Sequence, residues 1–160
     1  NIFDKEWTFV QVKKITLFLF ILGLVFTTLT FINRVPYFSP DATDLEALSW
    51  IKYNTPNEAI IFSIPENGYY IEQIAQRKAF YSINQKDELK KKNLNEVINA
   101  PALREILPIF EDNKINYIYL NNAAKSTFPQ NRGLLKFLFD ERFKLVHSSK
   151  DVEIWEFKKE

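Results

Sequence analysis

Along most of the chain apolar and polar residues alternate within a few positions, but from Ile15 to Asn33 no charged residue occurs (ITLFLFILGLVFTTLTFIN). Lys13 and Lys14 precede this run and Arg34 follows it. As an α-helix, Ile15–Ile32 would rise about 27 Å, close to the hydrocarbon thickness of a bilayer. The pattern predicts a transmembrane helix over 15–33. A secretory signal has a shorter core and ends at small residues, which Asn33-Arg34-Val35-Pro36 does not supply. A buried helix of a soluble protein is the other reading, since Gly23 and four threonines soften the run. The hydroxyls of Thr27, Thr28 and Thr30 can bond back to carbonyls of their own helix, so they do not oppose insertion. The flanking lysines place 1–14 as a cytoplasmic tail or loop and 35–160 on the extracytoplasmic side.

Beyond a connector (34–42) with prolines at 36 and 40, the period changes. Leu45, Leu48 and Ile51, widened by Ala47 and Trp50, predict an amphipathic helix from Thr43 to about Tyr53, with Thr43 and Glu46 as its capping box. Pro56 bars continuation. Ala59-Ile60-Ile61-Phe62 is short and wholly apolar, as in a strand covered on both faces. Ser63–Gly68 (SIPENG) reads as a turn, with Asn67 capping a helix that buries Ile71, Ile74 and Ala75. A second short strand follows at 79–82. The lysine-rich block 86–92 reads as a solvated loop or helix face, and 94–100 as a further turn of helix.

Pro101 suits the first position of a helix over 101–111, with Leu103, Ile106, Leu107 and Phe110 on one face. Ile115–Leu120 (INYIYL) is the clearest strand, 131–140 a further helix, and 143–147 and 152–157 a hairpin whose last strand has the half-exposed pattern of an edge. Domain 43–160 is therefore expected to be α/β: a small α/β/α domain with a mainly parallel sheet and an antiparallel C-terminal hairpin.

Composition narrows the chemistry. The chain has no cysteine, so an exported domain would depend on its core alone. After Arg34, 17 Lys and Arg face 18 Asp and Glu, which leaves no basic footprint for nucleic acid. Trp7, Phe9, Tyr37 and Phe38 flank the span as interfacial aromatics do. One histidine and no cysteine argue against a transition-metal site, and His147 beside Val146 reads as structural. Glycines 23, 68 and 133 form no phosphate loop, and Ser148 and Ser149 beside His147 are hairpin residues rather than a nucleophile elbow. No catalytic residue and no metal ligand is assigned. The first residue is Asn1, as expected of a processed chain or a piece of a longer one.

One loop stands out, because in a parallel sheet ligands bind beyond the carboxyl ends of strands. Glu66 and Asn67 could face a polar substrate there, and Gly68, Tyr69 and Tyr70 complete the loop, its tyrosines suited to a sugar or a membrane surface. The plainer reading is an Asn-capped turn with packing tyrosines. Arg77, after the same helix, could join the loop or form a surface pair with Glu72 or Asp44.

The phrases Trp50-Ile51-Lys52-Tyr53-Asn54-Thr55-Pro56, Gly68-Tyr69-Tyr70-Ile71 and Ala75-Gln76-Arg77-Lys78-Ala79-Phe80 support a resemblance. Together with the preceding span they resemble the C-terminal extracytoplasmic part of polytopic, lipid-phosphate-dependent glycosyltransferases, distantly the catalytic subunits of oligosaccharyltransferases. The resemblance covers about residues 15–82. Those subunits carry Trp-Trp-Asp before their Gly, where this chain has Pro65-Glu66-Asn67, so sequon recognition does not carry over.

The resemblance implies a non-catalytic, extracytoplasmic C-terminal portion of a membrane glycosyltransferase that uses a polyprenyl-phosphate-linked sugar donor. It implies no cofactor within 1–160 and leaves room for a divalent metal in an upstream catalytic part. The partners are membrane lipid and either upstream transmembrane helices of the same protein or a membrane partner. A single-span protein with an accessory or assembly domain is the alternative. A free-standing hydrolase is disfavoured by the missing nucleophile–base pair.

Overall fold

In the computed structural model the charge-free run lies inside one long helix, α1 (Ile2–Phe38). The structure describes residues 2–38 and 40–159, with side chains at 10–30 and 40–159. Val10–Thr30 is long and apolar enough to cross a membrane, with a mean hydropathy of 1.9 and every side chain exposed. Thr28 and Thr30 donate to the carbonyls of Leu24 and Phe26 at 2.8 Å, and Thr27 donates to that of Gly23. The three hydroxyls are thus satisfied within the helix, as insertion requires. Helical backbone extends to Phe38, into the expected connector.

Residues 40–159 form a separate unit. Its elements are α2 (Ala42–Asn54), β1 (Ile60–Phe62), α3 (Pro65–Gln73), β2 (Lys78–Ala79), α4 (Glu88–Asn99) and α5 (Leu103–Asp112), then β3 (Ile115–Leu120), α6 (Asn122–Thr127), α7 (Leu134–Phe137), β4 (Phe143–Ser149) and β5 (Val152–Phe157). The sheet order is β2-β1-β3-β5-β4. β1 pairs in parallel with β2 and with β3, whereas β5 runs antiparallel to both β3 and β4. The parallel centre and antiparallel C-terminal hairpin agree with the sequence pattern.

Alternation along β3 divides the core. Ile118 and Leu120 join Phe62, Phe80, Ile106, Phe110 and Phe143 on one face. Tyr117 and Tyr119 join Leu48, Ile51, Ile61 and Ile71 on the other. A strand of the IIF type is buried on both faces because α5 and α2 supply apolar side chains to opposite sides of it. Burial of apolar surface drives this packing, and Phe62 packs at once on Phe80, Phe110 and Phe128.

Several local expectations are corrected. The cap of α2 is Asp41, not Thr43: its carboxylate accepts the Asp44 N–H at 2.7 Å, and Asp44 returns a bond to the Asp41 N–H. A short acid reaches the third helical N–H as well as a threonine does, so the box shifts by two residues. The SIPENG turn is already helix: Pro65 opens α3, where its missing N–H costs nothing, and Asn67 lies inside the first turn rather than capping it. The lysine block begins the full helix α4, capped by Asp87. Pro101 precedes α5, which starts at Leu103.

The helix expected over 131–140 contracts to Leu134–Phe137, because Gly133 enters it at φ 68°, where a Cβ would meet the Ile98 carbonyl. β5 is interior and β4 is the edge. The polar residues of β5 are engaged rather than solvated: Glu153 binds Lys125 Nζ at 2.6 Å and Trp155 Nε1 at 2.9 Å.

Candidate functional site

β1 passes through α3 to β2 on one side, and the chain after β3 continues to the hairpin on the other. The carboxyl ends of β1 and β3 therefore flank a topological switch point, the usual place for a ligand in an open α/β sheet. Ser63 follows β1 and Asn121 follows β3, so each stands before a helix N-terminus. Both side chains are buried, as is that of Asn67 in the first turn of α3.

The three are joined in one network. Ser63 Oγ donates to the Tyr119 carbonyl at 2.7 Å and accepts from Asn67 Nδ2 at 2.9 Å. Asn67 and Asn121 exchange amide hydrogen bonds of 3.1 and 3.3 Å. Asn121 Oδ1 also caps α6 by accepting the Ala124 N–H. From α2, Asp44 Oδ1 accepts from the Tyr119 hydroxyl at 2.6 Å and from Asn121 Nδ2 at 3.2 Å. Burial first, then the Asp44 carboxylate, raises the Tyr119 pKa far above its ordinary value, so the phenol remains a donor.

Every group in this network is satisfied from within. The arrangement fixes the starts of α2, α3 and α6 around two strand ends, and it holds no nucleophile poised against a base. Among the described residues, no three of His, Cys, Asp and Glu are grouped so as to hold a metal ion.

The residues singled out from sequence separate into two sets. Glu66 and Tyr69 reach solvent on α3, and Tyr70 is half-buried with its ring edge-on to Tyr69 at 5.7 Å. Asn67 turns into the network, and Gly68 is buried where a Cβ would lie 2.7 Å from Ser82 Cβ and 2.8 Å from the Tyr81 carbonyl oxygen. Pro65-Glu66-Asn67 thus offers solvent a single acid.

Arg77 is not a surface pair. It is buried, its Nε donates to Thr55 Oγ1 at 3.0 Å, and its Nη2 donates to the carbonyls of Lys52 and Thr55 at 2.6 and 2.7 Å. Its Nη1 donates to the carbonyl of Gln76, whose φ of 53° turns the chain back. The negative end of the α2 dipole and its free carbonyls replace a carboxylate partner. His147 stacks on Trp50, with ring centroids 5.0 Å apart.

Sequence reasoning did not single out Asp44, Ser63, Tyr119 and Asn121 as a group. The available signal was positional: a polar residue directly after each parallel strand, before a helix.

The domain superposes on the C-terminal globular domain of oligosaccharyltransferase from Archaeoglobus fulgidus with a TM-score of 0.60 at 18% identity, over 75% of this chain and 99% of that one. The fold is that of an oligosaccharyltransferase C-terminal globular domain. A second such domain from the same organism gives a TM-score of 0.48 at 14% identity, covering 74% of this chain and 98% of that one. The archaeal oligosaccharyltransferase in complex with an inhibitory peptide and a dolichol-phosphate gives 0.45 at 12% identity, and here the match spans 76% of this chain but only 18% of that protein. No family model and no curated protein matches the sequence. In this domain the switch-point network lies at the carboxyl end of the parallel strands, beside the exposed Glu66 and Tyr69.

Proposed function

We propose that residues 40–159 are the non-catalytic, extracytoplasmic C-terminal domain of a membrane glycosyltransferase of the oligosaccharyltransferase type, drawing its sugar from a polyprenyl-phosphate-linked donor. The observation that carries this reading is the fold correspondence over 99% of a solved C-terminal globular domain. It is supported by a preceding helix long and apolar enough to cross a membrane. The closed network argues for a rigid platform rather than a reacting centre. Glu66, Tyr69 and Tyr70, held above it on α3, are the groups free to shape the acceptor side. Asn67 is committed to Ser63 and Asn121, so any acceptor contact from this segment is made by its neighbours.

The test uses the intact gene product in membranes, with Tyr69→Ala and Tyr70→Ala introduced together and folded yield measured beside turnover. Sugar transfer per folded molecule is expected to fall by roughly tenfold, the scale of lost positioning contacts. Unchanged specific activity would assign the domain a scaffolding role. An intact gene product with one span and no transferase activity would make it an accessory subunit. Residues 40–160 alone are expected to transfer nothing.

A further inference from the structure

The step from Asn67 to Gly68 is the only Asn-Gly pair in the chain. This pair is prone to spontaneous ring closure, because no side chain shields the glycine nitrogen and the glycine backbone turns freely. The Gly68 nitrogen attacks Cγ of Asn67, its proton leaves with the side-chain amide as ammonia, and a five-membered succinimide forms. Water then opens one of the two ring carbonyls. The product is aspartate or, with the main chain rerouted through Cγ, isoaspartate.

The fold withholds each requirement for closure. Asn67 and Gly68 lie within α3, and the ring needs an Asn67 ψ far from the helical value. The leaving amide is held: Asn67 Nδ2 donates to Ser63 Oγ at 2.9 Å and to Asn121 Oδ1 at 3.1 Å. Asn67 Oδ1 accepts from Asn121 Nδ2 at 3.3 Å, and the residue is 5% exposed, so water has little access to Cγ. Gly68 is pressed against Ser82 and the Tyr81 carbonyl oxygen without room for a Cβ, which blocks the swing of its nitrogen.

The product does not fit where the amide fits. A carboxylate only accepts hydrogen bonds, so both donations from position 67 are lost. It would face Asn121 Oδ1, itself an acceptor, and a Ser63 hydroxyl whose proton already goes to the Tyr119 carbonyl. The Asp44 carboxylate, bound to the same Asn121 amide, adds a second negative charge to the network. Isoaspartate also lengthens the main chain inside the first turn of α3 and breaks its helical register.

We propose that Asn67-Gly68 is a latent self-modification site, silent while the switch-point network is closed and reactive when α3 opens. Each opening then exposes the chain to a covalent change that bars the network from re-forming. The inference rests on the network geometry and is independent of the transferase reading.

The full chain in detergent is aged in mildly alkaline buffer, folded or in concentrated urea, and its tryptic peptide 53–77 is read by tandem mass spectrometry. Asn54 and Asn57, exposed in the same peptide, serve as internal references. Relative to them, conversion at position 67 is expected to be at least roughly tenfold slower in the folded chain. Ser63→Ala removes one anchor of the amide and should raise the folded rate about fivefold, the factor for one net hydrogen bond. Equal folded and unfolded rates, or a folded rate unmoved by Ser63→Ala, overturn the silencing by the network. Chain aged in alkaline urea and refolded should unfold at lower urea than chain held in mildly acidic urea, where ring closure is slow. Asn67→Asp should shift the transition in the same direction. Matching unfolding curves for aged and unaged chain overturn the bar to re-forming.

Discussion

Arg77 and Thr55 meet through two hydrogen bonds, Nε to the Thr55 hydroxyl at 3.0 Å and Nη2 to the Thr55 carbonyl at 2.7 Å. Thr55 in turn donates to the Ile51 carbonyl, so one arginine closes the end of α2 and fixes where the chain turns toward β1. The Trp-Ile-Lys-Tyr-Asn-Thr-Pro phrase is therefore a helix end built to receive a guanidinium. Arg77→Lys keeps the charge but not the planar fork, and about 2–3 kcal/mol of stability is expected to be lost in urea unfolding followed by tryptophan fluorescence. A loss below the scatter of replicate curves would remove Arg77 from this role.

Asn67 and Asn121 should behave as a unit. Asn67→Ala removes both amide bonds to Asn121, which keeps only its bonds to Asp44 and the Ala124 N–H, and is expected to cost about 1–3 kcal/mol. Asn121→Ala also removes the α6 cap and should cost at least as much. The double variant is expected to be less destabilised than the sum of the singles by about 0.5–3 kcal/mol. Strict additivity in a double-mutant cycle would show that the pair does not couple the two helix starts.

Gly68 is required for contact rather than for an unusual backbone angle. A Cβ there would stand 2.7–2.8 Å from Ser82 Cα, Ser82 Cβ and the Tyr81 carbonyl oxygen. Gly68→Ala is expected to destabilise by about 1–3 kcal/mol, since backbone must move. Ser82→Gly in the same chain should recover only part of this, because Cα and the carbonyl oxygen stay in place. Full recovery in thermal unfolding would mean that the Ser82 side chain alone sets the limit.

The tyrosines of β3 predict alkaline sensitivity. Burial and then Asp44 raise the pKa of Tyr119, and burial and then Glu156 raise that of Tyr117. A group whose folded pKa is raised contributes stability that is complete below its unfolded value, about 10 for tyrosine, and lost as pH rises beyond it. Stability should fall steadily above about pH 10, with phenolate absorbance from these residues appearing together with loss of structure. Tyr119→Phe should be less stable at neutral pH, through loss of the Asp44 bond, yet show a flatter alkaline slope. An unchanged slope would remove Tyr119 from the linkage.

What the sequence determined by itself is what local pattern controls. The apolar strand Ile115–Leu120 and the 3.6-residue period of α2 and α5 depend on neighbours a few positions away, and each emerged with little displacement, while the uncharged run lies within the longer helix α1. The parallel centre was legible because short strands alternate with helices long enough to cross over.

Tertiary structure alone decided which polar residues turn inward. Asn67 and Asn121 are 54 positions apart, and Asp44 and Asn121 are 77 apart. No local period records that pairing, which exists only once two strands lie side by side and bring their carboxyl ends together. Arg77 was illegible for a related reason: its partners are backbone carbonyls, which every residue carries, and only the exposed end of α2 singles them out. β5 likewise has an edge-like sequence in an interior position, because Lys125 and Trp155 satisfy Glu153 there and the strand needs no solvent to hold that charge.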